Sequence, residues 1–523
     1  MEMNEKSTRT TDETITVSRA EYEAIQKDVA ELRQENQWLL EQLGIIRKHV
    51  FASTSEKTSD AVMEQMSLLF NEAEVYEDKR IERERTEVKA HSREKRSGSV
   101  RDIVPKDIPV QTVDHALEDA ERACPVCGET MQEIGTEVVE TLVFKPAEAY
   151  LRRDVYHNYA CMSCKQLREE TPIRKTPREP AIIPGSFASP EAVAHIMTQK
   201  FVMYSPLYRQ EQEWKRQNIL LSRQTMSNWL VRCAEDWLEP VYEALHDELL
   251  RSDILHADET QIKVLHEEGR KATAKSYIWL YRTGREERQQ IVLYEYQSSR
   301  GGRNPRAFLN GFHGYLQSDG YGAYPTLTGV THLGCWAHAR RKFDEAVHAI
   351  PGKNKTGAPV EGEAYCTRLF AIEKELAELT PEERYKARLE LEKPVLDALE
   401  AWANTKSVAP KSKLGEAMTY LKNQWPNLIA FLQDGRLEIS NNRAERSIKP
   451  FVMGRKNFLF ANTPSGAKAA AIVYSLIETA KENALDPYRY LCYVLQTAPR
   501  LDRNTPNWVA PLLPANAPSE CKT

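Results

Sequence analysis

The sequence lacks long apolar runs and an N-terminal leader pattern. No stretch of its 523 residues approaches the ~18 apolar residues of a membrane-spanning helix. The N-terminus is acidic and polar rather than basic and then apolar, so it does not resemble a secretory signal. We therefore expect a soluble protein that stays in the cytoplasm.

An excess of positive charge is also absent. The formal net charge is −5, whereas proteins that bind DNA non-specifically are usually basic overall. Any contact with DNA must therefore come from local basic patches. The chain is too long for one hydrophobic core, and its hydrophobic content of 41% is ample, so we expect three or more domains.

Cysteine is scarce, but four of the nine cysteines form two Cys-x-x-Cys pairs, Cys124 with Cys127 and Cys161 with Cys164. A single pair can be a redox motif, whereas two pairs are typical of a tetrahedral zinc site. Four protein ligands leave no open position for substrate, so we expect this Zn²⁺ to be structural. Strand-forming residues between the pairs predict a zinc-ribbon-like module over residues 111–175.

Residues 20–50 carry a heptad repeat. Leu or Ile dominates one core position, and the other includes a lone polar residue, Asn36. This pattern predicts a parallel two-stranded coiled coil for dimerisation, because a buried Asn fixes register at some cost in stability. The alternative is an amphipathic helix packed on its own protein. Residues 51–110 are rich in charges of both signs and are predicted to be a linker.

Residues 185–250 have helical periodicity and predict a helix-turn-helix. Pro206 opens one helix, and Ser222 caps a second. In such a unit the N-terminal end of the second helix enters the major groove of DNA. The candidate base or phosphate contacts are Arg223, Gln224, Ser227 and Asn228, and the residues predicted to pack inward are Met226, Trp229 and Leu230. Similar helix pairs also occur in plain helical bundles.

From Ile254 the pattern is rich in strands. Three predicted strands are followed by a helix and by a fourth strand that ends at Asp319. This order predicts a ribonuclease-H-like α/β catalytic domain, in which the first and fourth strands are neighbours. It comprises residues 251–350 and 436–500, so the fold class is multidomain α+β.

Two further segments complete the predicted organisation. The chain between the second and third candidate acids is longer than that domain requires and is rich in helical patterns, so residues 351–435 are predicted to be a helical insertion. Residues 501–523 are rich in Pro, Asn and Ala, and either a docked tail or disorder fits them.

Three acids occupy distinctive settings. Asp258 precedes Glu259 and Thr260, Asp319 precedes a Gly-Tyr-Gly segment, and Glu445 lies among two amides and three cations at the start of a predicted helix. Among 76 Asp and Glu residues an isolated acid is usually a solvated surface charge. Three converging carboxylates, however, are what two-metal phosphoryl transfer needs, because oxygen ligands suit Mg²⁺ or Mn²⁺. We predict that these three acids bind the metal and are catalytic.

The segment after the second acid contains Cys335 and His338. Their spacing resembles half a zinc site, but no second pair accompanies it, so we expect a structural or DNA-facing role at the wall of the active site. Nearby cations supply the basic surface that the net charge conceals. The predicted contacts with the phosphate backbone are Arg340, Arg341, Lys342, Arg446, Lys449, Arg455 and Lys456.

Taken in this order, the motifs resemble those of transposases of the insertion-sequence-66 family, a branch of the DDE transposases. The resemblance covers roughly residues 20–500 and is carried by several segments. These are Cys124-Pro125-Val126-Cys127-Gly128, Ser205-Pro206-Leu207-Tyr208-Arg209-Gln210-Glu211, Asp258-Glu259-Thr260, Gly334-Cys335-Trp336-Ala337-His338-Ala339-Arg340-Arg341-Lys342-Phe343, Ile439-Ser440-Asn441-Asn442-Arg443-Ala444-Glu445-Arg446 and Gly454-Arg455-Lys456-Asn457.

The resemblance implies a DNA transposase of a bacterial insertion sequence, which cuts DNA at element ends and joins the freed 3′-hydroxyl to target DNA. It also implies a homodimer or higher oligomer and two small accessory proteins of the same element. One alternative is a ribonuclease-H-like nuclease or resolvase, which needs neither a zipper nor two DNA-reading modules. The other is an inactive DNA-binding derivative, which predicts loss of an acid, yet all three acids are present.

Overall fold

The computed structural model describes residues 149–160, 173–324, 327–351 and 355–523, together with the single positions Arg19, Gln26 and Val29. The predicted coiled coil, the charged linker and the four cysteines of the predicted zinc module therefore lie outside the described residues. The described chain divides into two compact units, and the boundary falls between Arg178 and Glu179.

The smaller unit contains a two-stranded antiparallel sheet of β1 (Asn158–Ala160) and β2 (Ile173–Lys175). Thr176 extends the pairing, because its backbone N–H and its hydroxyl both donate to the carbonyl oxygen of His157, at 3.2 and 2.7 Å. The strands expected between the two cysteine pairs lie outside the described residues.

The larger unit begins with helices that include the predicted helix-turn-helix. Ser222 caps the second helix of that pair as expected, since its hydroxyl accepts a hydrogen bond from Thr225 N at 3.1 Å. A π-helical turn, Ala234–Leu238, connects it to the next helix. The four helices are α1 (Pro190–Phe201), α2 (Leu207–Arg216), α3 (Arg223–Cys233) and α4 (Glu239–Leu249).

A five-stranded mixed sheet forms the centre of the larger unit. In spatial order its strands are β5, β4, β3, β6 and β7. The first three strands in sequence pair antiparallel, and β6 and β7 run parallel to β3. The bounds are β3 (Ile254–Lys263), β4 (Lys275–Thr283), β5 (Val292–Gln297), β6 (Gly314–Gln317) and β7 (Val330–Leu333), with the short helix α5 (Arg303–Phe308) between β5 and β6.

Both faces of this sheet are covered. On one face Tyr281 stacks on Phe308 of α5, with ring centroids 4.1 Å apart. The other face packs against two helices near the C-terminus, α11 (Asn442–Phe458) and α12 (Pro464–Glu482). The buried Arg282 of β4 joins both helices to the sheet, because its guanidinium donates to Ser447 Oγ at 2.6 Å and to Glu482 Oε2 at 3.0 Å.

Side chains of α12 also cover part of the edge strand β5. Ser475 Oγ accepts from Tyr294 N at 2.8 Å, and Thr479 Oγ1 accepts from Val292 N at 3.0 Å. The Thr479 hydroxyl also contacts the carbonyl oxygen of Val292 at 3.0 Å. The backbone groups that an edge strand leaves unpaired are thus satisfied here within the chain.

The span predicted to be an insertion is helical and contributes to a second hydrophobic core. Trp336 and Phe343 of the preceding helix are fully buried in this core with Leu369, Leu399 and Leu421. The helices are α6 (Trp336–Ala349), α7 (Ala358–Glu375), α8 (Pro381–Leu391), α9 (Lys393–Thr405) and α10 (Lys413–Ile429).

The C-terminal segment is docked, which decides between the two interpretations of residues 501–523. It follows α13 (Pro487–Thr497), whose Tyr490 hydroxyl donates to Leu512 O at 2.8 Å. Asp486 N also donates to Cys521 O at 2.8 Å. In the described part of the chain, no helix is both long and apolar enough to cross a membrane.

Candidate functional site

Asp258 lies on β3, and Asp319 follows the end of the neighbouring parallel strand β6. His256 of β3 pairs with Gln317 of β6, and each acid follows two residues later. Strand β6 ends at Gln317, whereas β3 continues past Asp258 and pairs with β4 as far as Lys263. The adjacency of the first and second predicted acids therefore follows from strand register.

Glu445 approaches the same place from α11. It lies in the first turn of that helix, where its backbone N–H donates to Asn441 O at 3.1 Å, and its side chain is 12% exposed. Removal from water, together with the negative charges of Glu259, Asp319 and Glu445, raises the pKa of Asp258 well above its ordinary value. The three predicted acids therefore lie within electrostatic reach of one another.

Asn441 joins the start of α11 to β3. Its Nδ2 donates to Ala257 O at 2.9 Å, and its Oδ1 lies 3.1 Å from His256 Nδ1. The other ring nitrogen of His256 is 3.0 Å from Glu438 Oε2, to which Arg443 Nε donates at 2.8 Å. Burial acts to raise the pKa of Glu438, but contacts with His256 and Arg443 outweigh it and lower that pKa strongly.

The roles of these residues were not predicted from the sequence. Asn441 belongs to the pair of amides noted before Glu445, and His256 precedes Asp258 by two positions. The two are 185 residues apart, so no local pattern indicates that they meet.

Glu259 projects from the opposite face of the sheet to Asp258. Its carboxylate accepts hydrogen bonds from Tyr324 Oη and from Arg300 Nε, both at 2.8 Å, and its side chain is 2% exposed. Burial and the charge of Asp319 raise the pKa of Glu259, while the hydrogen bonds from Tyr324 and Arg300 act against that rise. Glu259 is therefore paired with a cation, Arg300, whereas the charges that act on Asp258 are those of other acids.

Cys335 and His338 lie beside Glu445. Cys335 precedes α6 and is fully buried, and its Sγ accepts a hydrogen bond from Asn441 N at 3.2 Å. His338 Nδ1 is 3.7 Å from Glu445 Oε1, and Arg341 Nη2 is 3.9 Å from Glu445 Oε2. Burial and the charge of Arg341 lower the pKa of His338 to about 4, so its imidazole is neutral at neutral pH. The pair therefore forms one wall of the acid cluster.

The helical insertion reaches the second acid through α10. Tyr420 Oη donates to the backbone oxygen of Asp319 at 3.1 Å, and Lys342 Nζ lies 5.5 Å from the centre of the Tyr420 ring. Gly320 follows the acid with a φ of +88°, and a Cβ there would lie 3.1 Å from the Gln424 side chain. Only glycine adopts this turn easily in so little space.

The predicted DNA-reading helix α3 presents a polar surface. Arg223, Gln224 and Asn228 are exposed, Ser227 is half-buried, and the apolar residues that are buried as expected are Met226, Trp229 and Leu230. Gln224 Nε2 donates to Asn228 Oδ1 at 3.0 Å, and the Arg223 guanidinium lies 5.6 Å from the centre of the Tyr208 ring. These contacts order the side chains on the helix surface.

The predicted backbone-binding cations have different surroundings. Arg446 and Lys456 are exposed, whereas those that are half-buried are Arg340, Arg341, Lys342, Lys449 and Arg455. Arg455 donates to Thr260 Oγ1 at 2.9 Å and to the backbone oxygen of Gln261. Its guanidinium therefore contacts the far end of β3 through Nη1.

Four family models match the chain. The Transposase IS66 family matches residues 185–469, and the IS66 C-terminal element matches residues 475–515. The zinc-finger binding domain of transposase IS66 matches residues 121–165, which include all four paired cysteines. A fourth family, described as Transposase C of IS166 homeodomain, matches residues 38–113 and so spans much of the predicted linker.

Curated relatives come from Sinorhizobium fredii (strain NBRC 101917 / NGR234). The uncharacterized protein y4jD is 33% identical over 422 residues, which are 77% of this chain and 79% of that protein. The uncharacterized protein y4hP is 29% identical over 484 residues, covering 86% of this chain and 84% of the relative. These matches confirm the family resemblance found in the motifs.

Proposed function

Because this chain belongs to the transposase IS66 family, we propose that it is a DDE transposase that cuts and joins DNA with Asp258, Asp319 and Glu445. One observation carries the proposal. One acid lies on β3, a second lies two residues beyond the end of the neighbouring parallel strand β6, and a third acid from a helix contributes to the raised pKa of the first. Such convergence of carboxylates from distant segments has no evident structural benefit, because like charges repel.

The proposed catalytic fold is ribonuclease-H-like. Support comes from the strand order, in which three antiparallel strands are followed by two strands parallel to the first. It also comes from the helix that carries the third acid, which packs on the sheet after a long helical insertion. The domain comprises residues 251–350 and 436–500, with the insertion at 351–435.

The donor set fits divalent ions such as Mg²⁺ or Mn²⁺. All three side chains offer carboxylate oxygens, the ligand type that these ions prefer, and a divalent cation relieves the repulsion that raises the pKa of Asp258. Ions held by these three carboxylates would supply activation of the attacking oxygen and stabilisation of the leaving one. The protein's own part is to hold the three carboxylates in place, and Asn441 and His256 do this by joining α11 to β3.

The remaining modules bind and organise the DNA. The cations proposed to contact the phosphate backbone are Arg340, Arg341, Lys342, Arg446, Lys449 and Lys456, and α3 is proposed to read the element ends through Arg223, Gln224, Ser227 and Asn228. The 121–165 module holds a structural Zn²⁺ through Cys124, Cys127, Cys161 and Cys164. The coiled coil over residues 20–50 pairs two chains in the cytoplasm, where two small proteins of the same element assist.

The test uses a DNA duplex that carries the terminal inverted repeats flanking the reading frame of this chain. Asp258→Asn, Asp319→Asn and Glu445→Gln each keep the side-chain shape and remove a metal-binding charge. We expect each variant to lose strand cleavage and joining in Mg²⁺ while it binds the repeat DNA like wild type. Full cleavage by any one of the three variants would refute its catalytic assignment.

A further inference from the structure

Cys335, His338 and Glu445 converge on one point although Cys335 immediately precedes α6, His338 lies in α6 and Glu445 lies in α11. One potential ligand atom from each lies within 4.8 Å of the others. His338 Nδ1 and Glu445 Oε1 are 3.7 Å apart, and two ligands about 2.1 Å from a tetrahedral ion are about 3.4 Å apart. Small side-chain movements would therefore suffice to place one ion among all three.

The surroundings of the sulfur favour a thiolate–metal bond. Asn441 N donates to Cys335 Sγ at 3.2 Å, and the backbone N–H groups of Ala337 and His338, in the first turn of α6, also face this sulfur. Backbone donors at a helix N-terminus stabilise negative charge, and hydrogen bonds of this kind orient metal ligands. A buried cysteine that served only to fill space would need none of them.

The other two ligands are also poised. His338 Nδ1 is buried and has no hydrogen-bond partner among the described residues. Glu445 Oε1 is the oxygen that lies 3.7 Å from His338 Nδ1, whereas the contact with Arg341 Nη2 is made by Oε2 at 3.9 Å. Cys335, His338 and Glu445 thus each offer a potential ligand atom close to those of the other two.

We propose that Cys335, His338 and Glu445 form a second metal site, which takes a thiophilic transition ion of the Zn²⁺ or Co²⁺ class and leaves its fourth position to water. On binding, the Cys335 S–H bond breaks, its proton passes to solvent, and the sulfur bonds the metal. Sulfur and nitrogen ligands select such ions over Mg²⁺, which prefers oxygen.

The site shares Glu445 with the proposed phosphoryl-transfer centre, and to that extent the inference rests on the proposed function. The charge of Glu445 would be shared between the two positions, and two cations this close repel each other. Occupation by a thiophilic ion therefore weakens binding of a divalent ion at Asp258 and Asp319, and the two kinds of metal compete. The chain would then be inhibited by transition ions that bind at this wall of the active site.

The first measurement is the zinc content of the full chain after loading and gel filtration. We expect two zinc ions per wild-type chain, one in the 121–165 module and one here, and a single ion in Cys335→Ser and in His338→Asn. The control Cys492→Ser alters a half-buried cysteine of α13 and should keep two. His338 is 24% exposed, so its variant should fold even where Cys335→Ser does not. A single zinc in wild type would overturn the proposal.

The second measurement uses Co²⁺ added to chain whose four-cysteine module already holds zinc. A thiolate-to-cobalt charge-transfer band should appear in wild type and be missing in Cys335→Ser, and its absence from wild type would overturn the proposal. Added Mg²⁺ should weaken Co²⁺ binding in wild type but not in Asp258→Asn, and no effect in wild type would refute the shared carboxylate. Neither readout needs cleavage, so a chain that binds Co²⁺ but cuts no DNA would refute only the proposed transposase chemistry.

Discussion

Asn441 donates a hydrogen bond from its side-chain amide to the backbone oxygen of Ala257, immediately before Asp258. The same residue begins the turn that carries Glu445. One amide side chain therefore ties the strand of the first acid directly to the helix of the third.

Asn441→Ala should impair cleavage without impairing DNA binding. Loss of the amide leaves the Ala257 carbonyl without this donor, which costs about 1–3 kcal/mol of unfolding free energy. It also loosens Glu445, so the Mg²⁺ concentration that gives half-maximal cleavage should rise. The control is Asn457→Ala on the same helix, whose amide donates to Met453 O within that helix at 3.2 Å. An unchanged Mg²⁺ dependence in Asn441→Ala would show that the tether does not position the acid.

Asp258 and Glu259 should respond to amide substitution in opposite ways. Asp258→Asn should abolish cleavage yet preserve or increase thermal stability, since it relieves repulsion among the acids. Glu259→Gln should retain cleavage but lose about 1–3 kcal/mol of stability, because it removes the charge that pairs with Arg300. Cleavage assays and melting curves of the two variants test these opposite effects on activity and stability. An inactive Glu259→Gln beside an active Asp258→Asn would reverse the assignment.

Glu392 should make the stability of the helical insertion depend on pH. It is fully buried, and among the described residues neither of its carboxyl oxygens has a hydrogen-bond partner. Burial and the charge of Glu373 raise its pKa from 4.5 to about 9. The folded state then binds one proton more than the unfolded state between these two values, so the unfolding free energy falls as pH rises through that window.

Glu392→Gln should flatten this dependence and exceed wild type in stability above neutral pH, with the difference vanishing in acid. The measurement is urea unfolding at a series of pH values. Glu390→Gln is the control, because Glu390 is exposed in the last turn of α8, two residues before Glu392. Parallel pH profiles for wild type and Glu392→Gln would contradict the assignment of this proton.

Replacing Cys124 and Cys127 with serine should unfold the 121–165 module and leave the larger unit folded. Metal binding supplies much of the folding free energy of such modules, whereas the core of the larger unit is formed by residues from Ile182 onwards. Limited proteolysis should cut the variant within the module and spare the sheet. Equal resistance in wild type and variant would mean that zinc does not hold this segment.

The sequence predicted the elements whose signals are local. The apolar run of β4 and the cap at Ser222 reappear in the structure. Strand β7 was missed because its four residues have no long apolar pattern. The contact of Arg455 with β3 was not predicted either, since position on a helix does not reveal which neighbouring strand a long side chain will reach.

The placement of the acids was also predicted only in part, because long-range contacts leave no local pattern in the sequence. The order of predicted strands suggested that the first and fourth, which lead to Asp258 and Asp319, are neighbours, and β3 and β6 do pair. The network around Asn441 and the approach of Tyr420 to Asp319 depend on contacts between segments more than 100 residues apart. Only the folded chain brings such partners together.

The contacts of Ser475 and Thr479 with β5 restrict how copies of this chain can assemble. Along Val292–Tyr294 the backbone is already bonded to α12, so a strand from a second copy cannot extend the sheet there unless α12 first moves away. Any assembly of two copies must therefore use other surfaces, and the sheet that carries Asp258 can remain unchanged in each copy.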